Sequence, residues 1–141
     1  MVSKSPNKQR KAAANASLHI QRKRLRARCL DPNYTNIRNV TVRVGDEVEV
    51  RRGDFGHPNS QKGEKGKRHG EARGKAGHRA RVANVDTSTG HVMIEGVTHS
   101  KADGKDEGIP IHASNVVVVK IDESDPIRLK KLQSRNGGDD E

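Results

Sequence analysis

The sequence predicts a mainly β fold: a small barrel of short strands, flanked by a basic N-terminal arm and helix and by a short C-terminal helix. Three observations predict it. Between residues 40 and 122, valine and isoleucine recur in alternation with polar side chains, which is the period of half-buried strands. Glycine-bearing turns such as Gly45-Asp46 and Thr87-Ser88-Thr89-Gly90 separate these runs. Only 30% of the 141 residues are hydrophobic and 33% are charged, with no tryptophan, one tyrosine (Tyr34) and one phenylalanine (Phe55), so the chain can build one small aliphatic core and little more.

The elements follow in order. Residues 1–16 are basic and polar without apolar periodicity, which predicts an extended arm that orders only against a partner. Ser17 offers a helix N-cap, and Leu18, Leu25 and Cys29 share one face of a helix whose other sides carry Arg22, Lys23, Arg24, Arg26 and Arg28. That helix is expected to end at Asp31-Pro32, because the residue before a proline is pushed out of helical conformation. Residues 1–39 thus form a basic extension. From Val40, Val42, Val44, Val48 and Val50 are expected to point inward while Arg43, Glu47, Glu49 and Arg51 point out. Further strands are expected at 79–85, 91–97 and 115–121, with polar residues 101–108 as a separator.

Residues 56–81 interrupt the barrel with six of the fourteen glycines, eight basic and two acidic residues, and almost nothing apolar. This predicts a long cationic loop insertion, at about 56–80, inside a barrel that spans 40–122. Residues 123–141 close the chain. Ser124-Asp125-Pro126 reads as a cap with proline in the first turn of a short helix, and the last residues form an acidic tail.

Charge points to the partner. Twenty-eight Lys and Arg stand against 18 Asp and Glu, a net charge of +10, and the excess is concentrated N-terminally. Residues 1–45 carry eleven basic side chains and one acidic, whereas residues 83–141 carry seven and eleven. A single sign gathered on an arm, a helix and a loop predicts a polyanionic partner bound through phosphates. With about 6 to 10 phosphate contacts, affinity would fall on the order of 10³- to 10⁵-fold between low and physiological salt. The scarcity of aromatics argues against a base-stacking platform and for recognition of folded RNA by shape and backbone. Nowhere do about 18 apolar residues run together, so no membrane segment is expected.

Other chemistry finds little support. Asp46, Glu47 and Glu49 cluster at a turn and on the outward side of a strand, where carboxylates face water. Arginines beside Cys29 could lower its pKa, but its apolar helix face predicts burial, and no Cys, His and Asp arrangement accompanies it. His57, His69 and His78 are spaced by twelve and nine, which does not place two on one helical face. No metal, cofactor, small-molecule substrate or enzymatic activity is expected.

At VRVGDEVEVRRGDF (42–55), together with RVANVDTSTGHVMIEGV (81–97), the chain resembles a KOW motif, in which two strands and a glycine-bearing loop present backbone and basic side chains to RNA. More closely, it resembles the archaeal and eukaryotic form of the universal large-subunit ribosomal protein twenty-four family. Three blocks carry this over roughly residues 4–132: KQRK (8–11) followed by ASLHIQRK (16–23), the KOW core, and GVTHSKADG (96–104) with IPIHASNVVVVKID (109–122). In that family GDF runs into a short glycine turn, whereas here 26 residues separate Phe55 from Val82, and the turn glycine corresponds to Gly66 or to Ala80.

The resemblance implies an SH3-like barrel that binds ribosomal RNA of the large subunit beside neighbouring ribosomal proteins. It also implies a place near the exit of the nascent-peptide tunnel, support of subunit assembly and a cytoplasmic location on the ribosome. A KOW-type RNA-binding transcription or translation factor is the alternative. The residues expected to contact RNA are Lys8, Arg10, Lys11, His19, Arg22, Lys23, Arg24, Arg26, Arg28, Arg51, Arg52, Lys62, Lys65, Lys67, Arg68, Arg73, Lys75, Arg79 and Arg81. His112, in the last block, is expected to contact RNA or to pack locally.

Overall fold

The structure, a computed structural model, describes residues 2–53 and 77–137. Its strands are β1 (Arg26–Cys29), β2 (Asn39–Thr41), β3 (Glu47–Val50), β4 (Arg79–Asp86), β5 (His91–Ser100), β6 (Asp106–His112) and β7 (Val116–Lys120). Its helices are α1 (Pro6–Ala14), the single turn α2 (Leu18–Gln21) and α3 (Pro126–Asn136). The strands form one mixed sheet in the order β2-β1-β7-β3-β4-β5-β6, parallel only between β1 and β7. The fold is mainly β, consistent with a small SH3-like barrel, but the sheet is not closed, because β2 and β6 remain edges. Among the described residues no helix is long and apolar enough to cross a membrane.

The core is aliphatic and β-branched, as the composition requires. Val42, Val48, Val50, Val82, Val92, Ile94, Val97, Val116, Val118 and Ile121 are buried together in one cluster, with Tyr34 as the aromatic among them. Leu132 of α3 adds a cap to this core.

The N-terminal third departs from expectation twice. Residues 6–14 form a helix instead of an extended arm, although none of its residues is buried. Proline in the first turn and the run Gln9 to Ala14 supply intrinsic helix propensity that needs no apolar face. The helix expected over 18–30 instead stops after Leu25, and Arg26–Cys29 turn into a strand. Leu25, Ala27 and Cys29 alternate with Arg24, Arg26 and Arg28, and this period of two buries all three apolar side chains, whereas the helical face would have included Leu18, which is exposed. Pairing on both sides secures the strand, with Arg28 opposite Asn39 of β2 and opposite Val117 of β7.

The run from Val40 divides into β2 and β3 at a turn where Gly45 adopts φ +94°. A side chain there would meet the Asp122 carboxylate 2.9 Å from its Cβ. Val44 lies in this turn and is exposed rather than inward-facing. Ala80 sits within β4 opposite Val48, so it is a strand residue and not a turn position, while Gly66 lies outside the described residues. The polar stretch 101–108 is not wholly a separator: β6 begins at Asp106, and the β5–β6 hairpin continues beyond the core through Thr98–Gly108, His99–Glu107 and Ser100–Asp106 pairs. Both of its faces are wet there, so no hydrophobic alternation marks it.

Buried carboxylates tie distant segments together. Asp31, two residues past β1, accepts from the Ile121 N–H at 2.9 Å and from the Asn33 N–H at 2.9 Å. Asp31→Ala leaves the buried Ile121 N–H without a partner and should destabilise the fold by about 2 kcal/mol, read as a lower urea midpoint with an unchanged slope. The C-terminal helix begins where expected, with the Asp125 carboxylate accepting from the Ile127 N–H at 3.0 Å.

Candidate nucleic-acid interface

The strand alternation that buries Ala27 and Cys29 turns Arg26 and Arg28 outward. Just past β3, the N–H groups of Arg51 and Arg52 both donate to the Asn115 carbonyl, at 2.9 and 3.1 Å, which holds this stretch of chain against the start of β7. Because β7 lies between β1 and β3, the four arginines meet around one groove of about 570 Å³. Ala27, Leu30, Asn39, Ser114, Asn115, Val116 and Val117 complete its lining. Its chemistry is guanidinium donors beside amide and hydroxyl groups over a small apolar floor. That suits phosphate oxygens and ribose hydroxyls.

The register extends this surface. Residues opposite one another run Asn39, Arg28, Val117, Glu49 and Arg79 across β2, β1, β7, β3 and β4. Glu49 in the middle is 8% exposed, not an outward carboxylate facing water as expected. Arg51 Nε donates to its Oε1 at 3.1 Å and Arg79 Nε to its Oε2 at 2.8 Å. Burial pushes its pKa up, but the hydrogen bonds from Arg79 and Arg51 outweigh this and hold the carboxyl below its ordinary value. Among the described residues, Arg26, Arg28 and Arg52 make no ion pair.

The remaining candidates separate by place. Lys8, Arg10 and Lys11 lie on α1 and are exposed, as are His19, Arg22 and Lys23 in and after α2. Arg24 is engaged internally: its guanidinium donates to the Ala13 carbonyl and to the Ser88 carbonyl, the latter at 3.3 Å, tying the end of α1 to the β4–β5 turn. Arg81 is exposed but lines a different, mixed-charge groove with Glu47, Lys120, Asp122 and Glu123. Lys62, Lys65, Lys67, Arg68, Arg73 and Lys75 lie outside the described residues, as do His57 and His69. His112 packs locally, its ring edge-to-face with His91 at 5.5 Å and its Nδ1 accepting from the Ser114 N–H.

Two other expectations are revised. Asp46 is fully buried rather than facing water, paired with Arg128, a residue that nothing in the sequence singled out. Cys29 has its pKa raised by burial rather than lowered by arginines, since β1 directs its neighbours Arg26 and Arg28 to the opposite face. Tyr34 is buried, so its ring cannot serve as a stacking surface. Among the described residues no group of three or more His, Cys, Asp or Glu could hold a metal ion.

Acid should destabilise the fold. Glu49, Asp86, Asp122 and Asp125 all have lowered pKa values in the folded chain, so their interactions stabilise it fully above about pH 4.3 and are lost as pH falls through the lowered values. Thermal melts between pH 7 and pH 3 should show a melting temperature that declines below about pH 4.3, and the deficit of a Glu49→Gln variant relative to the parent should shrink over the same range.

Comparison with known proteins places the chain in a family. The chain is 37% identical over 135 residues to the large ribosomal subunit protein uL24 of Saccharolobus solfataricus, covering 94% of this chain and 97% of that protein. It is 35% identical over 138 residues to the protein of the same name from Sulfolobus acidocaldarius, covering 96% and 87%. The one from Natronomonas pharaonis is 35% identical over 136 residues, covering 94% and 96%. A sequence model of one family matches residues 3–135, nearly the whole chain, and with these end-to-end relatives it establishes that the chain belongs to the family of eukaryotic ribosomal proteins L26 and their archaeal counterparts.

Proposed function

We propose that the protein is a structural constituent of the large ribosomal subunit that binds ribosomal RNA through its backbone, supports subunit assembly beside neighbouring ribosomal proteins near the peptide exit tunnel, and works in the cytoplasm. The observation that carries this reading is the groove ringed by Arg26, Arg28, Arg51 and Arg52, three of them without a carboxylate partner among the described residues. Exposed Lys8, Arg10 and Lys11 on α1 and exposed Arg22 and Lys23 after α2 add positive charge that no buried core of α1 requires. Such a surface holds phosphates in fixed geometry and stabilises folded RNA as a set of immobile counterions. A KOW-type transcription or translation factor is not favoured, because the three relatives compared above each bear the name of a large-subunit ribosomal protein.

Filter binding of the purified protein to large-subunit and small-subunit ribosomal RNA, repeated from about 50 to 200 mM salt, tests the proposal. Tighter binding to the large-subunit RNA, with affinity falling on the order of 10³-fold or more across that range, is expected. Equal binding to both RNAs at every salt concentration would refute a specific site on the large subunit.

A further inference from the structure

We infer that Glu49 is a positioning residue for RNA binding, a buried carboxylate on the outer face of the sheet that holds Arg51 and Arg79 as a fixed pair of forks. The inference rests on the RNA-binding reading above and goes beyond it by assigning a role to an acidic residue on a basic surface.

The geometry is specific. The Glu49 side chain is 11% exposed, while those of Arg51 and Arg79 are 48% and 57% exposed. Each arginine donates to the carboxylate through Nε, one to each oxygen. Among the described residues the Nη groups of both arginines make no other hydrogen bond, and both side chains stand about half exposed, where a guanidinium fork can meet phosphate oxygens. Arg79 lies directly opposite Glu49 in the β3–β4 ladder, and Arg51 follows it by two residues. The carboxylate therefore bridges two strands and fixes the separation of two guanidiniums.

Electrostatics alone would disfavour this arrangement. Glu49 reduces the charge of the trio from +2 to +1 on a face expected to meet a polyanion, and each net positive charge strengthens such binding by counterion release. An acid in this place weakens long-range attraction, so its benefit must come from order. A free arginine loses side-chain entropy when it is fixed on a phosphate, and a pair already held by one carboxylate loses less.

Charge and order predict opposite results for Glu49→Gln, which keeps the shape and removes the charge. If Glu49 positions the arginines, affinity for large-subunit ribosomal RNA falls on the order of 10-fold, while retention on a heparin column is equal or greater. In an Arg51→Gln/Arg79→Gln background the same substitution has no further effect on RNA affinity. RNA affinity that is unchanged or increased in Glu49→Gln overturns the inference, as does a loss that persists in the double-variant background. Should Glu49→Gln fail to fold, ¹⁵N relaxation of the arginine Nε groups in the unmodified protein decides. Two Nε–H vectors as ordered as the backbone support it, and order parameters below about 0.6 for both overturn it. An unmodified protein with no affinity for that RNA overturns the RNA-binding reading and this inference together, whereas normal binding by both proteins overturns the inference alone.

Discussion

Asp46→Ala should destabilise the protein by about 3–5 kcal/mol in urea unfolding at neutral pH, the largest effect expected of any single substitution. Asp46 is fully buried, and its two oxygens take Arg128 Nη1 and Nη2 in a bidentate pair, both at 2.6 Å. The same oxygens accept the Arg43 and Asp122 N–H groups at 2.9 Å each. Arg128 also donates to the Thr41 carbonyl at 3.0 Å. One pair thus joins α3 to the turn between β2 and β3 and to the chain leaving β7. Truncating Asp46 leaves a guanidinium 6% exposed without its counter-charge and two backbone N–H groups without acceptors. Small domains have only about 5–15 kcal/mol in total, so the variant should lie near the limit of folding. Replacing both partners together, as Asp46→Leu with Arg128→Met, should cost less than Asp46→Ala alone, because no charge remains buried and unpaired.

Replacing Arg26, Arg28, Arg51 and Arg52 with glutamine should lower affinity for large-subunit ribosomal RNA on the order of 10²- to 10³-fold, at about 1 kcal/mol per lost contact. The slope of log K against log salt should become shallower by roughly four, about one for each phosphate contact removed. The four side chains are exposed, and among the described residues only Arg51 is paired, with Glu49, so the variant should fold with a melting temperature near that of the parent. Affinity and salt slope measured together separate this groove from α1. If α1 carried all the binding, the quadruple variant would bind with unchanged slope.

These two sites differ in how much of each was legible in the sequence. The sequence marked all four groove arginines as basic residues of interest, but nothing in it marked them as neighbours. Arg26 and Arg28 meet Arg51 and Arg52 only because β7, from far along the chain, is inserted between β1 and β3. Asp46 and Arg128 lie 82 residues apart, and no periodicity connects them. The strands of the core were legible from valine alternation, and α3 from Asp125-Pro126. Residues 25–29 fitted two periods at once, and sheet pairing decided between them. The outer part of the β5–β6 hairpin has no apolar face and so left no pattern to read.

The most direct test of the central claim is sedimentation of cell lysate through a sucrose gradient, with and without a moderate-salt wash, following this protein by mass spectrometry. The account predicts stoichiometric co-migration with large ribosomal subunits that persists through the wash. Recovery in the free soluble fractions, or alongside RNA polymerase, would contradict it.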